Sequence, residues 1–396
     1  MTVGIILSLC ILVLLAYIFD LTSAKTKIPS VILLLILGYL VRQLCHLLNI
    51  DLLNLQSLLP VLGSIGLVLI VLEGALELEL NQRKLPLIGK SAVVATIPVF
   101  VLSFGLAFSL RYISGYDFKS CLSNAIPLAV ISSSIAIPSA RNFTPQDKEF
   151  VIYESSISDI IGVILFNFVT LHSNFGFFTF SIFFIQLFVI TIISFIAVGS
   201  LSYLLSRLEH QIKFVPIIFL VLLIYETSKL LNLPSLVFIL VLGLFLNNLS
   251  QITHFNLIQK LKPKLLQKEI KKFKEIVIEA TFLVKTLFFL VFGYLIHTGE
   301  LLNKESVAWS AGITGGIFLL RAIILKLTNI KLIPLVFIAP RGLITILLFL
   351  SIKPAFQIAL LNRSVMIQVI ILSSLAVTIG SLINKNTFLS SQPEKK

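Results

Sequence analysis

Asp159 is the residue whose type and position most directly imply chemistry. The chain has five aspartates, Asp20, Asp51, Asp117, Asp147 and Asp159. The first four fall in loops or at the ends of apolar stretches, whereas Asp159 lies within EFVIYESSISDIIGVILFNF. Measured from an expected helix start near residue 150 at 1.5 Å per residue, it sits roughly 13 Å along the axis, close to a bilayer midplane. An ionisable group there costs about 2.5–3.5 kcal/mol and marks a functional site by default. Ser155 is one helical turn earlier, so its hydroxyl and the Asp159 carboxylate share a face. Together they form a hard oxygen cluster suited to a small alkali cation. Glu154 lies on a different face, and Arg321 reaches a similar depth in another apolar segment. A Glu154–Arg321 ion pair would satisfy both charges, a structural role rather than one in transport. Glu73, within GSIGLVLIVLEGALEL, has two readings: a further cation ligand or inner-mouth acid, or an interfacial acid grouped with Glu77 and Glu79.

The elements that must position these groups are membrane helices. The chain has 396 residues, of which 57% are hydrophobic and 12% charged, with a mean hydropathy of +1.05. A soluble domain carries about a quarter charged residues, so a soluble enzyme is excluded. Thirteen apolar stretches are long enough to cross, near 3–20, 28–48, 58–77, 86–110, 120–139, 150–172, 178–206, 214–230, 234–249, 276–298, 306–328, 331–352 and 364–383. With the N-terminus outside, inward loops and the tail hold 20 Lys and Arg residues and outward loops hold 7. That bias places the C-terminus in the cytoplasm. The net charge of +13 therefore reports topology, and no nucleic-acid partner is expected. Of the four basic residues inside apolar segments, Lys90 can snorkel, Lys285 is open to either reading, and Arg321 and Arg341 lie deeper. Cys10, Cys45 and Cys121 are too few for a disulfide framework and read as small buried hydrophobes.

Two of these helices resemble each other in opposite directions. IPSVILLLILGYLV (28–41) starts from the cytoplasmic side and LPSLVFILVLGLFL (233–246) from outside, with Pro29 and Gly38 matched by Pro234 and Gly243. The match predicts inverted-topology repeats, against the alternative of chance similarity between apolar helices. The first repeat is 1–172, residues 173–213 form a connecting helix, 214–383 form the second repeat, and 384–396 a short cytoplasmic tail. Corresponding segments of the repeats carry helix breakers. Segment five holds Ser132, Ser133 and Ser134 between Pro127 and Pro138, and segment twelve holds Pro340, Arg341 and Gly342. Each alone reads as a proline kink; together they predict two broken helices crossing near the midplane, where freed backbone can face ions. Residues 251–275 read as a basic amphipathic linker, divided at Pro263, lying on the anionic inner leaflet.

On these residues the chain resembles a monovalent cation:proton antiporter of the sodium/proton exchanger type over almost its whole length. The most specific stretch is Glu154-Ser155-x-x-Ser158-Asp159, similar to the family's Glu-Ser-x-x-Asn-Asp signature. Phe288-Phe289-Leu290-Val291-Phe292-Gly293, Arg321 and Arg341-Gly342 support it. The resemblance implies that Asp159 carries the cation and the proton, that Ser155 is a ligand and that Glu154–Arg321 is structural. It also implies that Glu73 matches an acid some members use, and that the protein is a homodimer. Two departures stand out. Ser158 replaces the family's Asn, and Ser132-Ser133-Ser134 replaces its Thr-Asp-Pro, with the loss of one carboxylate.

Burial disfavours the charged form of a carboxylate, so a proton and a cation compete for Asp159 without covalent chemistry. One titrating acid in the Ser158-Asp159 pair predicts one-for-one, electroneutral exchange by alternating access. The expected cargo is Na+, with Li+ or K+ as alternatives, and no cofactor is expected. The expected location is the plasma (inner) membrane. Broken helices also serve sodium-coupled solute symporters and cation channels, which are the rival readings. An intramembrane aspartyl protease needs two deep acids, and His46, His172, His210, His254 and His297 all lie in loops or at helix ends, so neither enzyme reading is favoured.

Overall fold

A computed structural model describes residues 2–26, 28–48, 55–78, 84–171, 177–207, 214–231, 233–248 and 263–390. The described chain is α-helical apart from turns, short 3-10 segments and two irregular stretches, 328–342 and 351–362. The first half gives α1 (Thr2–Thr26), α2 (Ser30–Leu47), α3 (Leu58–Glu77), α4 (Leu85–Ser114), α5 (Phe118–Ala129), α6 (Ser133–Ser139) and α7 (Pro145–Leu171). The second half gives α8 (Phe177–Arg207), α9 (Phe214–Leu230), α10 (Ser235–Asn248), α11 (Pro263–Tyr294), α12 (Thr298–Leu301), α13 (Lys304–Leu327), α14 (Leu343–Leu350) and α15 (Arg363–Ser390). Among the described residues, eight helices are long and apolar enough to cross a membrane. Helices suit such a chain because every backbone donor and acceptor is satisfied within the segment. Phe184 and Phe188 on α8 and Phe100 and Phe108 on α4 are exposed, the pattern of surfaces solvated by lipid rather than water.

The segments start and stop where local chemistry directs. Asp117 caps α5 by accepting the Ser120 N–H at 3.1 Å, and Asn303 caps α13 through the amides of Glu305 and Ser306. Asn329, with φ at 54°, ends α13 in the left-handed region, and the Ile330 N–H returns to Leu325 O. Pro263 opens α11, and residues 263–275 of the linker form the first turns of the same helix that enters the apolar segment. Proline suits a first helical turn, and no breaker follows before Tyr294. Its exposed face carries Lys268, Lys271 and Lys272, while Ile270 and Phe273 are buried, Phe273 against Phe214. Residues 251–262 of the linker, His172, His210, His254 and residues 391–396 of the tail lie outside the described residues. Of the cysteines only Cys121 is buried; Cys10 is exposed on α1, where lipid accommodates an apolar side chain as well as a protein interior does.

The chain forms two compact units, neither of which is a continuous half of it. The first comprises Met1–Gly63, Leu87–Asp159 and Leu283–Lys396, and the second Ser64–Pro86 and Ile160–Phe282. Within the first, α2 crosses α11 at a pair of glycines. A side chain on Gly38 would strike Leu290 O, and one on Gly293 would strike the Leu35 backbone. Within the second, α10 packs on α3 through Gly243, where a Cβ would lie 2.6 Å from Ala75 Cβ and 3.3 Å from Leu72 O. Small residues let membrane helices approach this closely.

Candidate cation site

The apolar fifth segment is interrupted. α5 ends at Ala129, Val130 and Ser132 are extended, and α6 resumes at Ser133. The twelfth segment is irregular from Ile338 to Gly342 before α14 begins. The two interruptions meet: Ser132 N–H donates to Pro340 O at 2.9 Å. Gly342 allows the approach, since a Cβ there would lie 2.8 Å from Ile135 Cδ1 and 2.9 Å from Ser132 Oγ. Pro138 lies in the last turn of α6.

Opposite charges meet the helix ends that this break exposes. Arg341 is 1% exposed. Its guanidinium donates to Leu128 O at 2.7 Å, Ala129 O at 3.1 Å and Ala339 O at 2.8 Å. Two of these are the final carbonyls of α5, the negative end of its dipole. Arg341 N–H donates to Ser373 Oγ on α15 at 3.0 Å, which holds the residue in place. Asp159 meets the beginning of α6: its Oδ2 accepts the Ser133 N–H at 3.2 Å. The neighbouring Ser158 Oγ accepts the Ile131 N–H at 3.0 Å, within the extended stretch. α7 therefore holds the break with two successive side chains.

Asp159 is 3% exposed, and its other oxygen, Oδ1, is buried with no hydrogen-bond partner among the described residues. Ser132 and Ser134 hydroxyls lie 2.9 Å apart, and Ser155 donates to Val151 O at 2.7 Å, leaving its lone pairs available. All five serines, 132, 133, 134, 155 and 158, are at most 8% exposed. A buried carboxylate with one oxygen held and one unpartnered, on helices lined with hydroxyls, offers hard ligands to an alkali cation or a place for a proton. Beside it, Arg321 donates Nη1 and Nη2 to the two oxygens of Glu154, the second at 2.9 Å, and Nε to Leu335 O at 2.8 Å. Glu73 is different: it lies part-exposed on α3 in the second unit, and its assignment rests on the sequence. Sequence reasoning did not single out Ser373 or the carbonyls of Leu128, Ala129 and Leu335. Carbonyls have no side-chain signature, and Ser373 is one hydroxyl among many on α15.

The sequence matches the family described as "Sodium/hydrogen exchanger, transmembrane" over residues 10–387. The chain belongs to the sodium/hydrogen exchanger family. It is thus an integral, multi-pass membrane protein of a transporter family. Two solved structures of the sodium proton antiporter from Methanocaldococcus jannaschii share its fold at 15% identity. One, determined at pH 8, has a TM-score of 0.67 and covers 98% of each chain. The other, from electron microscopy, has a TM-score of 0.71 and covers 100% of this chain and 99% of the antiporter. No curated protein matches the sequence.

Proposed function

We propose that this exchanger moves Na+ against H+ one-for-one across the plasma membrane, with Asp159 carrying either ion in turn. The observation that carries the reading is the divided carboxylate: Oδ2 is held by the backbone of α6 while Oδ1 is buried and unpartnered. Deprotonated, Asp159 can accept a partly dehydrated cation with help from Ser155, Ser158 and the serines of the break; protonated, it needs none. Glu73 is a further acid on the route. The Glu154–Arg321 pair is internally neutral and serves structure, and Arg341 balances the negative end of α5. With a single exchanging acid, loading by Na+ or H+ leaves the same net charge, so the cycle is electroneutral.

Access alternates as one repeat-derived bundle rocks against the other. The matched crossings of α2 on α11 at Gly38 and of α10 on α3 at Gly243 support this repeat arrangement of thirteen segments. Gly38 approaches Leu290 O, and its repeat counterpart Gly243 approaches Leu72 O. The N-terminus is outside, the C-terminus cytoplasmic beside anionic lipid, and the working form a homodimer.

The test is sodium-driven proton movement in liposomes, read with a pH dye at several clamped potentials. Exchange with Na+ that is insensitive to potential is expected, and Li+ and K+ in parallel assign selectivity. Moving one net charge per cycle would couple about 2.3 kcal/mol per 100 mV, so strong voltage dependence refutes electroneutrality. Activity retained in Asp159→Asn refutes the carrier assignment. Cation flux without proton movement would favour a channel or symporter.

A further inference from the structure

We infer that Asn247 and Asn248 are positioning residues for cation entry from the cytoplasm: they clasp the end of α3 and so hold the helix face that carries Glu73 and Glu77. The clasp has a counterpart in the other repeat. On α2, Gly38 approaches Leu290 O of α11, and four residues later Arg42 donates Nη1 to Ile296 O at 2.8 Å. Ile296 is six residues beyond Leu290 and just past the end of α11 at Tyr294. On α10, Gly243 approaches Leu72 O of α3, and four residues later Asn247 donates Nδ2 to Leu78 O at 3.1 Å. Leu78 is six residues beyond Leu72 and just past the end of α3 at Glu77. Each crossing thus has a glycine that admits the neighbouring backbone, and one turn on a donor that closes the end of the same neighbour.

Carbonyls at a helix C-terminus have no partner within the helix, and lipid offers them none. The two repeats meet that need with different side chains. Arg42 spans the whole turn, its Nη2 lying 2.7 Å from His297 Nδ1 beyond Ile296. On α10 the task is divided between two amides. Asn248 is 3% exposed and donates to Leu78 O at 2.8 Å and to Leu244 O of its own helix at 2.7 Å. A carbonyl oxygen has two lone pairs, so Leu78 O accepts from both asparagines. Glu73 and Glu77 are one turn apart on α3 and share a part-exposed face within the last two turns before Leu78. Helix ends open before helix interiors, so loosening the clasp displaces these acids first. The matching positions on α11, counted from Leu290, are Val291 and Leu295. Only the clasp on α3 therefore stands under acids. By the proposed topology α3 ends at the cytoplasmic face and α11 at the outer face, so the clasp on α3 sets where a cation entering from inside meets its first carboxylates.

The clasp rests on this geometry, and its effect on cation entry rests on the proposed exchange. Hydrogen exchange of the full chain in liposomes reads the clasp itself, through a peptide covering 72–78. Asn247→Ala/Asn248→Ala lowers protection there about fivefold, the worth of one ordinary hydrogen bond. Asn247→Arg/Asn248→Ala recovers it, because arginine is the donor at the matching position of the other repeat. Unchanged protection in the double alanine variant overturns the clasp, and failure of the arginine to recover it overturns the equivalence of the two crossings. Exchange is measured with Na+ varied on one face at a time, in everted and in right-side-out membrane vesicles. In the double alanine variant the KM for Na+ rises about fivefold at the cytoplasmic face, while kcat and the KM at the outer face hold. A fall in kcat alone, or an equal rise in KM at both faces, belongs to a merely structural contact and overturns the positioning role. In a Glu73→Gln/Glu77→Gln background the asparagine substitutions no longer change the KM, and an undiminished change overturns their action through these acids. Should the double alanine variant fail to insert, Asn247→Ala, which keeps the Asn248 bond, is read by the same criteria. Absence of exchange in the unsubstituted protein in both kinds of vesicle would count against the proposed function, while hydrogen exchange would still decide the clasp.

Discussion

Removing one charge of the buried pair is the sharpest test of how this protein tolerates ions in its interior. Glu154 and Arg321 side chains are 1% and 2% exposed. Glu154→Gln keeps the shape of the side chain but leaves Arg321 with an uncompensated charge and only the Leu335 carbonyl as an undiminished partner. Breaking a buried pair from one side costs about 3–5 kcal/mol. For a chain of 396 residues the shift is about 1.2 °C per kcal/mol, so the melting temperature falls by roughly 4–6 °C. Arg321→Met strands the carboxylate and is destabilising by a similar amount. The double variant Glu154→Leu/Arg321→Met removes both desolvation penalties with the attraction, and recovers most of the loss. The assay is thermal unfolding of the four proteins in one detergent at one scan rate, because membrane proteins often unfold irreversibly, with exchange measured on the same samples. Single variants melting within about 1 °C of the unsubstituted protein would refute the energetic argument. A double variant no better than the worse single would refute the interdependence of the two charges. A double variant that melts normally yet does not exchange would refute a purely structural role.

Two further outcomes follow from the broken-helix crossing. Arg341→Met leaves Leu128, Ala129 and Ala339 carbonyls buried without their donor, at about 1–3 kcal/mol each if no water enters. Folded yield from the membrane should collapse, and Arg341→Lys, a point charge without the planar fork, should recover only part of it. Ser158→Ala strands the Ile131 N–H in the extended stretch. Exchange in liposomes should fall about tenfold for about 1.4 kcal/mol of lost support, with Ser158→Asn, which restores a side-chain acceptor, closer to the original rate.

Composition made the membrane environment legible, because burial in lipid demands long apolar runs and leaves few acids from which to choose. Asp159 stands out for that reason, and so do Arg321 and Arg341. The break in segment five was readable from Pro127, Pro138 and three serines, yet neither proline sits at the interruption. α5 contains Pro127 and α6 contains Pro138, and the extended residues are Val130 to Ser132. The hydrogen bonds that compensate the break come from Ser158, Asp159 and Pro340, distant in sequence, and a local reading has no access to them. The spaced apolar residues among the lysines after Pro263 read as an amphipathic helix, and the structure adds that this helix runs without a break into the apolar segment that follows.

What the sequence alone determines is the class of solvent around the chain, the small set of buried charges, and the family to which their spacing points. Each follows from local quantities, apolar run length and residue type, that do not depend on how distant segments meet. The tertiary structure decides which oxygen of Asp159 is held and which is unpartnered, that Arg341 closes α5 rather than pairing with an acid, and that Arg42 reaches His297. Those are contacts across 26 to 255 residues of chain, set by the packing of whole helices, and in a low-dielectric interior such contacts determine what each buried charge can do.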